Sequence, residues 1–299
     1  MNLKTNLLFI SLLLLSVVAQ CAFGNFPFAF FAFPLDLLLA LIWIGGMGYA
    51  YKEKRSFVAV RIWLSPQCTY WTLGWFLAGC LVIGLFPQLS VQDAVRKSGV
   101  LSTLGCYHFT SSWIFVTGLF GLLTHLGMIT LRRFFLPGRS QWCFVLNHAG
   151  LWLALFAGFI RSAEEQTLRI PVFRTSSNNE AFTEEGNKVY LEKSLQLTDF
   201  VVEHYPNGSP RYFFAEISVD GKPVHLEVNH PYAASWSEDY YLTSYDVKSP
   251  EPQYCVVQIV REPLKYLMWL GIVMMLCGGC LLFLAGPDRE KTSFPEKSC

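Results

Sequence analysis

Tyr212-Phe213-Phe214-Ala215-Glu216-Ile217-Ser218-Val219-Asp220-Gly221-Lys222-Pro223-Val224-His225-Leu226-Glu227-Val228 decides how this chain is organised. Ala215, Ile217 and Val219 alternate with polar residues before Asp220-Gly221, and Val224, Leu226 and Val228 alternate after it. A period of two belongs to a half-buried strand, whose side chains point to opposite faces in turn. Asp-Gly supplies the positive φ values that a two-residue hairpin turn needs. The stretch therefore reads as a β-hairpin.

Outward from it the pattern continues. Thr198–Tyr205 reads as another strand, followed by the turn Tyr205-Pro206-Asn207-Gly208. Tyr240–Tyr245 and Gln253–Val260 read as two more. Residues 162–263 are thus expected to form an antiparallel β domain, a sandwich or an open barrel. Asn207-Gly208-Ser209 has glycosylation-acceptor spacing, but in a bacterial chain it marks only an exposed turn.

The flanks are apolar. Leu7–Phe23, Phe28–Tyr51, Tyr70–Phe86, Ser111–Leu131, Trp142–Ile160 and Leu264–Ala285 each approach the length that spans a bilayer, roughly 17–25 residues. The chain is 53% hydrophobic and 15% charged, with a mean hydropathy of +0.35. Those values fit a polytopic membrane protein. A net charge of +1 with no basic motif gives no footprint for nucleic acid. Lys4 followed by an apolar run ending near Cys21 also has the outline of a signal sequence. The run is long and a second span follows at once, so it reads as a retained helix. The alternative is a lipoprotein signal cleaved at Cys21.

Basic residues orient the spans. Lys4, then Lys52, Lys54, Arg55 and Arg61, then Arg132, Arg133 and Arg139, then Arg289 and Lys291 all fall on one side if there are six spans. Arg96 and Lys97 are the exception. The expectation is a membrane α-helical bundle of about six helices with one extracytoplasmic β-rich domain. Residues 1–161 would be a five-helix membrane region, 162–263 the periplasmic domain, 264–285 the last span and 286–299 a tail. Both termini would be cytoplasmic, in a bacterial inner membrane.

Of nine cysteines only Cys106 and Cys255 fall in outer segments, so the β domain has no disulfide framework of its own. Cys277-Gly278-Gly279-Cys280 has redox or metal spacing. Inside a span, without a second pair or a histidine, it reads as small residues packing a helix interface.

His148, in Asn147-His148-Ala149-Gly150, lies in the fifth span. A neutral imidazole is a good axial ligand for haem iron. Asn147 would orient the ring, and Gly150 would admit a flat macrocycle or another helix. An interhelical hydrogen bond is the other reading. His125 in the fourth span stands before the same choice, with Thr124 beside it. Arg161 and Arg169, past the outer end of the fifth span, suit carboxylates such as haem propionates, or snorkel to the interface. His108, His204 and His225 read as solvated. P-loop, HExxH, GxSxG and CxxCH motifs are all missing, so no catalytic role is assigned.

Four stretches together resemble a known family. Val228-Asn229-His230-Pro231-Tyr232 with Asp239–Asp246, Val256–Pro263 leading into Leu270-Gly271, Phe109–Arg133 ending in Leu131-Arg132-Arg133, and Leu146–Glu165, similar to its histidine-bearing helix, resemble the ResB/CcsB family, over residues 105–285. The resemblance implies a role in System II cytochrome c biogenesis. Haem would be handled transiently, beside a CcsA-like membrane partner, and attached to apocytochrome c on the outer face. It makes His148 the position matching a membrane haem ligand. It makes Asn229, His230 and Pro231 candidate partner-binding residues. No tryptophan-rich segment is present, so the partner would be a separate chain. Two other readings stay open: a scaffold or chaperone that binds no haem, and a transporter or sensor with an outer ligand-binding domain.

Overall fold

Serine caps and apolar runs set the helices of this chain in a computed structural model that describes residues 3–28, 34–135, 139–184, 186–249 and 251–285. For 91, 92, 95, 139–141, 162–164 and 285 only the backbone is described. Arg289, Lys291, Cys299 and the rest of the expected tail lie outside the described residues. The chain divides into two units, Met1–Ile160 with Leu267–Cys299, and Arg161–Tyr266.

The first unit is helical. Its long helices are α1 (Leu3–Phe23), α2 (Leu35–Glu53), α4 (Pro66–Leu85), α7 (Trp113–Phe134), α8 (Arg139–Glu164) and α9 (Lys265–Ala285). Between them lie short α3 (Val58–Trp63), α5 (Val91–Arg96) and α6 (Val100–Thr103), and a 3₁₀ turn at Cys106–Ser111. Ser65 caps α4, its Oγ accepting from the Cys68 N–H at 3.3 Å, with Pro66 at the first helical position. Ser112 caps α7 in the same way, through the Phe115 N–H at 3.1 Å.

Among the described residues five helices are long and apolar enough to cross a membrane: α1, α4, α7, most of α8 and α9. This is a membrane protein. The expected second span corresponds to α2, an unbroken helix of 19 residues. It stands outside the five, and Asp36 and Lys52 dilute its apolar run. The expectation of six spans is therefore met only in part.

α7 is the centre of the unit and the most buried of the five. Lipid tails are as apolar as leucine, so helices here associate through close packing and satisfied polar groups rather than hydrophobic burial. Gly118 and Gly127 of α7 receive Trp75 and Met47. A Cβ at Gly118 would stand 2.6 Å from the Trp75 ring. Tryptophan N–H groups fasten neighbours to backbone carbonyls, Trp75 to Ile114 at 3.1 Å and Trp152 to Leu123 at 2.9 Å. Gln20 of α1, 2% exposed, accepts from the Trp113 N–H at 2.9 Å.

The second unit is an eight-stranded antiparallel sheet: β1 (Gln166–Phe173), β2 (Asn178–Thr183), β3 (Lys188–His204), β4 (Pro210–Val219), β5 (Lys222–Glu227), β6 (Tyr232–Ser235), β7 (Glu238–Tyr245) and β8 (Tyr254–Arg261). The order is β5-β4-β3-β2-β1-β8-β7-β6. Every strand therefore lies beside its sequence neighbours except at β5/β6. There the two sheet edges are joined by a four-residue turn and one isolated bridge, Glu227 to His230. One buried cluster draws side chains from β1, β2, β3, β4, β5, β7 and β8, including Ile170, Val172, Leu195, Leu226, Val257 and Ile259. A single sheet buries one face against itself only by curling, so the open-barrel alternative is the one realised, with its seam at β5/β6. Asp220 (φ 48°) and Gly221 (φ 81°) form the expected hairpin turn, with Val219 paired to Lys222.

Candidate functional site

Chain entry and exit of the barrel are neighbours because β1 pairs with β8 along its length, from Gln166 opposite Arg261 to Phe173 opposite Tyr254. Charged residues gather at this end. Arg161 binds Glu165 at 2.9 Å and Glu262 at 2.6 Å. Arg261 binds Glu238 at 2.8 Å, and Lys265 binds Asp239 at 2.6 Å. The last pair is nearly buried, 12% and 16% exposed. Glu238, Asp239, Glu262 and Lys265 escaped the sequence reading, because their partners are 23 or more residues away or across the barrel mouth and no periodicity marks them. Arg161 is thereby committed to the chain's own carboxylates. The Arg169 side chain, on the exposed face of β1, carries no hydrogen bond or ion pair among the described residues.

The helical unit brings α8 and α9 into near contact. A Cβ on Gly150 would lie 2.5 Å from the Gly271 oxygen and 2.6 Å from the Met275 nitrogen. A Cβ on Gly278 would lie 2.5 Å from the Asn147 nitrogen. Asn147 Nδ2 donates to the Met275 oxygen at 3.0 Å. Of the two alternatives for Gly150, another helix is the one in close approach here. Asn147 spends its Nδ2 on that helix and not on the imidazole next to it. Of Cys277-Gly278-Gly279-Cys280, Gly278 packs the interface while both cysteines are exposed.

His148 and His125 differ in what their nitrogens do. His125, 3% exposed in α7, has Nδ1 2.7 Å from the Trp63 oxygen and Nε2 2.8 Å from Thr69 Oγ1. A carbonyl only accepts, so Nδ1 carries the proton and Nε2 accepts from the threonine hydroxyl. Both nitrogens are used, and neither is left to a metal. The local partner is Thr69 and not Thr124, whose hydroxyl bonds the Phe120 carbonyl at 2.8 Å. His125 thus ties α7 to Trp63 and Thr69 through both ring nitrogens.

His148, half-buried in α8, has Nδ1 3.0 Å from the Phe144 oxygen one turn earlier. Its ring stacks on Phe144 with centroids 3.7 Å apart, and the Arg133 guanidinium lies 5.1 Å from the same phenyl ring. Nδ1–H thus donates to the backbone, which fixes the tautomer with the lone pair on Nε2. That nitrogen has no partner among the described residues. A carbonyl behind Nδ1 is the support that ligating histidines use.

Asn229, His230 and Pro231 form the turn at the barrel seam. Asn229 has φ 64°, and the His230 N–H donates to the Glu227 oxygen at 3.1 Å. Asparagine tolerates that left-handed conformation. His230 Nδ1 lies 3.3 Å from Glu227 Oε1. His225 is on the outer wall, 2.6 Å from Glu216. His108, expected to be solvated, is half-buried with Nδ1 2.9 Å from the Leu89 oxygen. The described residues hold no group of three His, Cys, Asp or Glu side chains able to bind a metal. Cys106 and Cys255 are both free and buried. Burial in the barrel pushes the Cys255 thiol up to about 12.

Residues 138–251 match the ResB-like family. The resemblance read from the sequence therefore holds over that stretch, which is narrower than residues 105–285. It takes in Asn147, His148, Arg161, Arg169 and the 229–231 turn, and leaves out His125 and α9. No curated protein matches the chain. Among solved structures, cytochrome c heme lyase CcmF aligns with a TM-score of 0.37 and 12% identity, over 69% of this chain and 33% of that one. The chain spans about a third of that protein's length.

Proposed function

We propose, from the ResB-like match, that this chain is a membrane subunit for cytochrome c biogenesis, in which His148 holds haem iron and the barrel faces outward. The carrying observation is the pairing of His148 Nδ1 with the Phe144 carbonyl, which leaves Nε2 as an uncommitted nitrogen donor. Haem, when bound, supplies the vinyl groups that become thioether links to an apocytochrome. The fit test is the donor set. Of the two histidines in the spanning helices of the described residues, His148 is the one with a nitrogen to spare, so it would be the residue here that holds the iron. A CcsA-like partner would complete the site. Arg161 holds Glu165 and Glu262 and so positions the barrel end of α8 rather than a propionate.

The chain's own residues then have plain tasks. Phe144 and the stacked His148 ring keep the donor in one orientation. Gly150, Gly271 and Gly278 let α9 brace the helix that carries it. The basic residues of 52–61 and 132–133 favour a cytoplasmic location for that end of the spans, which argues for residues 162–263 outside and, with α2 counted as a span, for both termini inside. Asn229, His230 and Pro231 at the seam are the proposed contact for apocytochrome or partner.

A transporter or sensor reading requires a ligand cavity in the outer domain. The barrel interior is filled instead, with Ile170, Val172, Leu195, Leu226, Val257 and Ile259 all fully buried. The haem-free scaffold reading is separated by experiment. The chain is purified with its partner, and haem content is compared between wild type and His148→Ala. Loss of bound haem supports the ligand role, and unchanged haem leaves a scaffold.

A further inference from the structure

One cavity of the helical unit is lined by neither His148 nor His125. It is walled by α1, α4 and the segment 104–114, and has a volume of about 1090 Å³. Its lining on α4 runs from Pro66 to Val82. Sixteen residue steps at about 1.5 Å each make a slot about 24 Å long, most of the roughly 30 Å hydrocarbon thickness. The slot runs along most of one spanning helix and is elongated rather than disc-shaped. It suits an extended hydrocarbon chain lying along the span.

The two ends differ. Trp71, Trp75, Ala78 and Val82 make the wall apolar along most of its length. The polar groups are at the beginning of α4. Asn6 Oδ1 accepts from Gln67 Nε2 at 2.5 Å and from Trp71 Nε1 at 2.9 Å. Its amide oxygen is thereby used, and its Nδ2 donates to nothing among the described residues. The chain segment leading into this end carries Lys52, Lys54, Arg55 and Arg61 against one carboxylate, Glu53. Arg61, four residues before Ser65, is exposed and has no ion pair among the described residues.

We infer that this slot holds one acyl chain of an anionic phospholipid, whose phosphate meets Asn6 Nδ2 and Arg61. Basic groups beside a gap between spanning helices recognise such headgroups. The apolar wall takes the tail, and the amide and guanidinium take the acceptor oxygens. The inference rests on the helices crossing a bilayer and is independent of the His148 reading.

The test uses the full chain purified in detergent, with phosphatidylglycerol and phosphatidylcholine of identical acyl chains titrated separately and retention read by native mass spectrometry. Gly74→Leu fills the slot, and a Cβ there meets nothing within 4 Å, so the fold is spared. Ala78→Leu, at another exposed position in the slot, repeats the readout. Expected are one phosphatidylglycerol retained at least tenfold better than phosphatidylcholine, its loss in both leucine variants with an unchanged melting temperature, and a fall to the phosphatidylcholine level in Arg61→Gln. Equal retention of the two lipids by wild type, or undiminished retention in both leucine variants, overturns the inference. So does a partner chain that co-purifies in the slot's place, with no lipid bound.

Discussion

His148 Nδ1 and the Phe144 carbonyl oxygen stand 3.0 Å apart within one helix, and their residues' rings are stacked at 3.7 Å. The helix carrying the imidazole therefore fixes it without help from another helix. His125 is held by two other segments, through Trp63 and Thr69. One histidine is anchored from behind with a nitrogen to spare. The other is a knot between helices.

Removing the knot should loosen the helical unit. His125→Ala leaves the Trp63 carbonyl and the Thr69 hydroxyl unpaired, a loss of about 1–3 kcal/mol. Thermal unfolding in detergent should show a lower midpoint for His125→Ala than for wild type. His148→Ala should shift it much less, since only an intrahelical bond and a ring stack are lost.

The crossing of α8 and α9 should be intolerant of bulk. Gly150→Val or Gly271→Val places side-chain atoms against backbone atoms 2.5–2.7 Å from the ideal Cβ. Overpacking of this kind costs about 1–3 kcal/mol or more. Gly158→Ala, whose Cβ meets nothing within 4 Å, is the matched control and should be neutral or slightly stabilising. Limited proteolysis and thermal unfolding of the three variants check the contrast.

Much of this was legible in the sequence. Alternation around Asp220-Gly221 gave the hairpin, since a two-residue turn and a period of two are local properties. The β1 and β2 strands, the first half of β3 and the short β6 were missed. Glu238–Tyr245 was shortened too, because its polar edge residues serve ion pairs rather than a face. The roles of Asn147 and Gly150 were not legible. Packing against Met275 and Gly271 joins residues more than 120 positions apart. His125 and His148 look alike in sequence, and only the positions of Thr69, Trp63 and Phe144 tell them apart.

Cys255 offers a pH test of the barrel. Its thiol is lifted from an ordinary value of 9.0 to about 12 by burial. A raised pKa in the folded state means that stability is intact below pH 9 and declines as pH rises from there toward 12. The slope is about 1.4 kcal/mol per pH unit. Cys255→Ala should flatten that decline. At pH 8.5 iodoacetamide should leave Cys255 unmodified in the native protein and label it only after unfolding, as checked by peptide mass mapping.

The seam turn separates backbone from side-chain roles at Asn229. Its φ of 64° suits glycine as well as asparagine. Asn229→Gly should keep barrel stability, and Asn229→Val should cost about 1–2 kcal/mol. If Asn229→Gly also keeps the capture of an apocytochrome peptide, the residue contributes only its backbone to partner binding.

The most direct measurement is the optical spectrum of the chain purified with its partner, in wild type, His148→Ala and His125→Ala. An axial imidazole on Nε2 predicts that His148→Ala loses or shifts the haem bands and regains them with added imidazole, while correctly folded His125→Ala keeps them. Identical bands in wild type and His148→Ala would contradict the account.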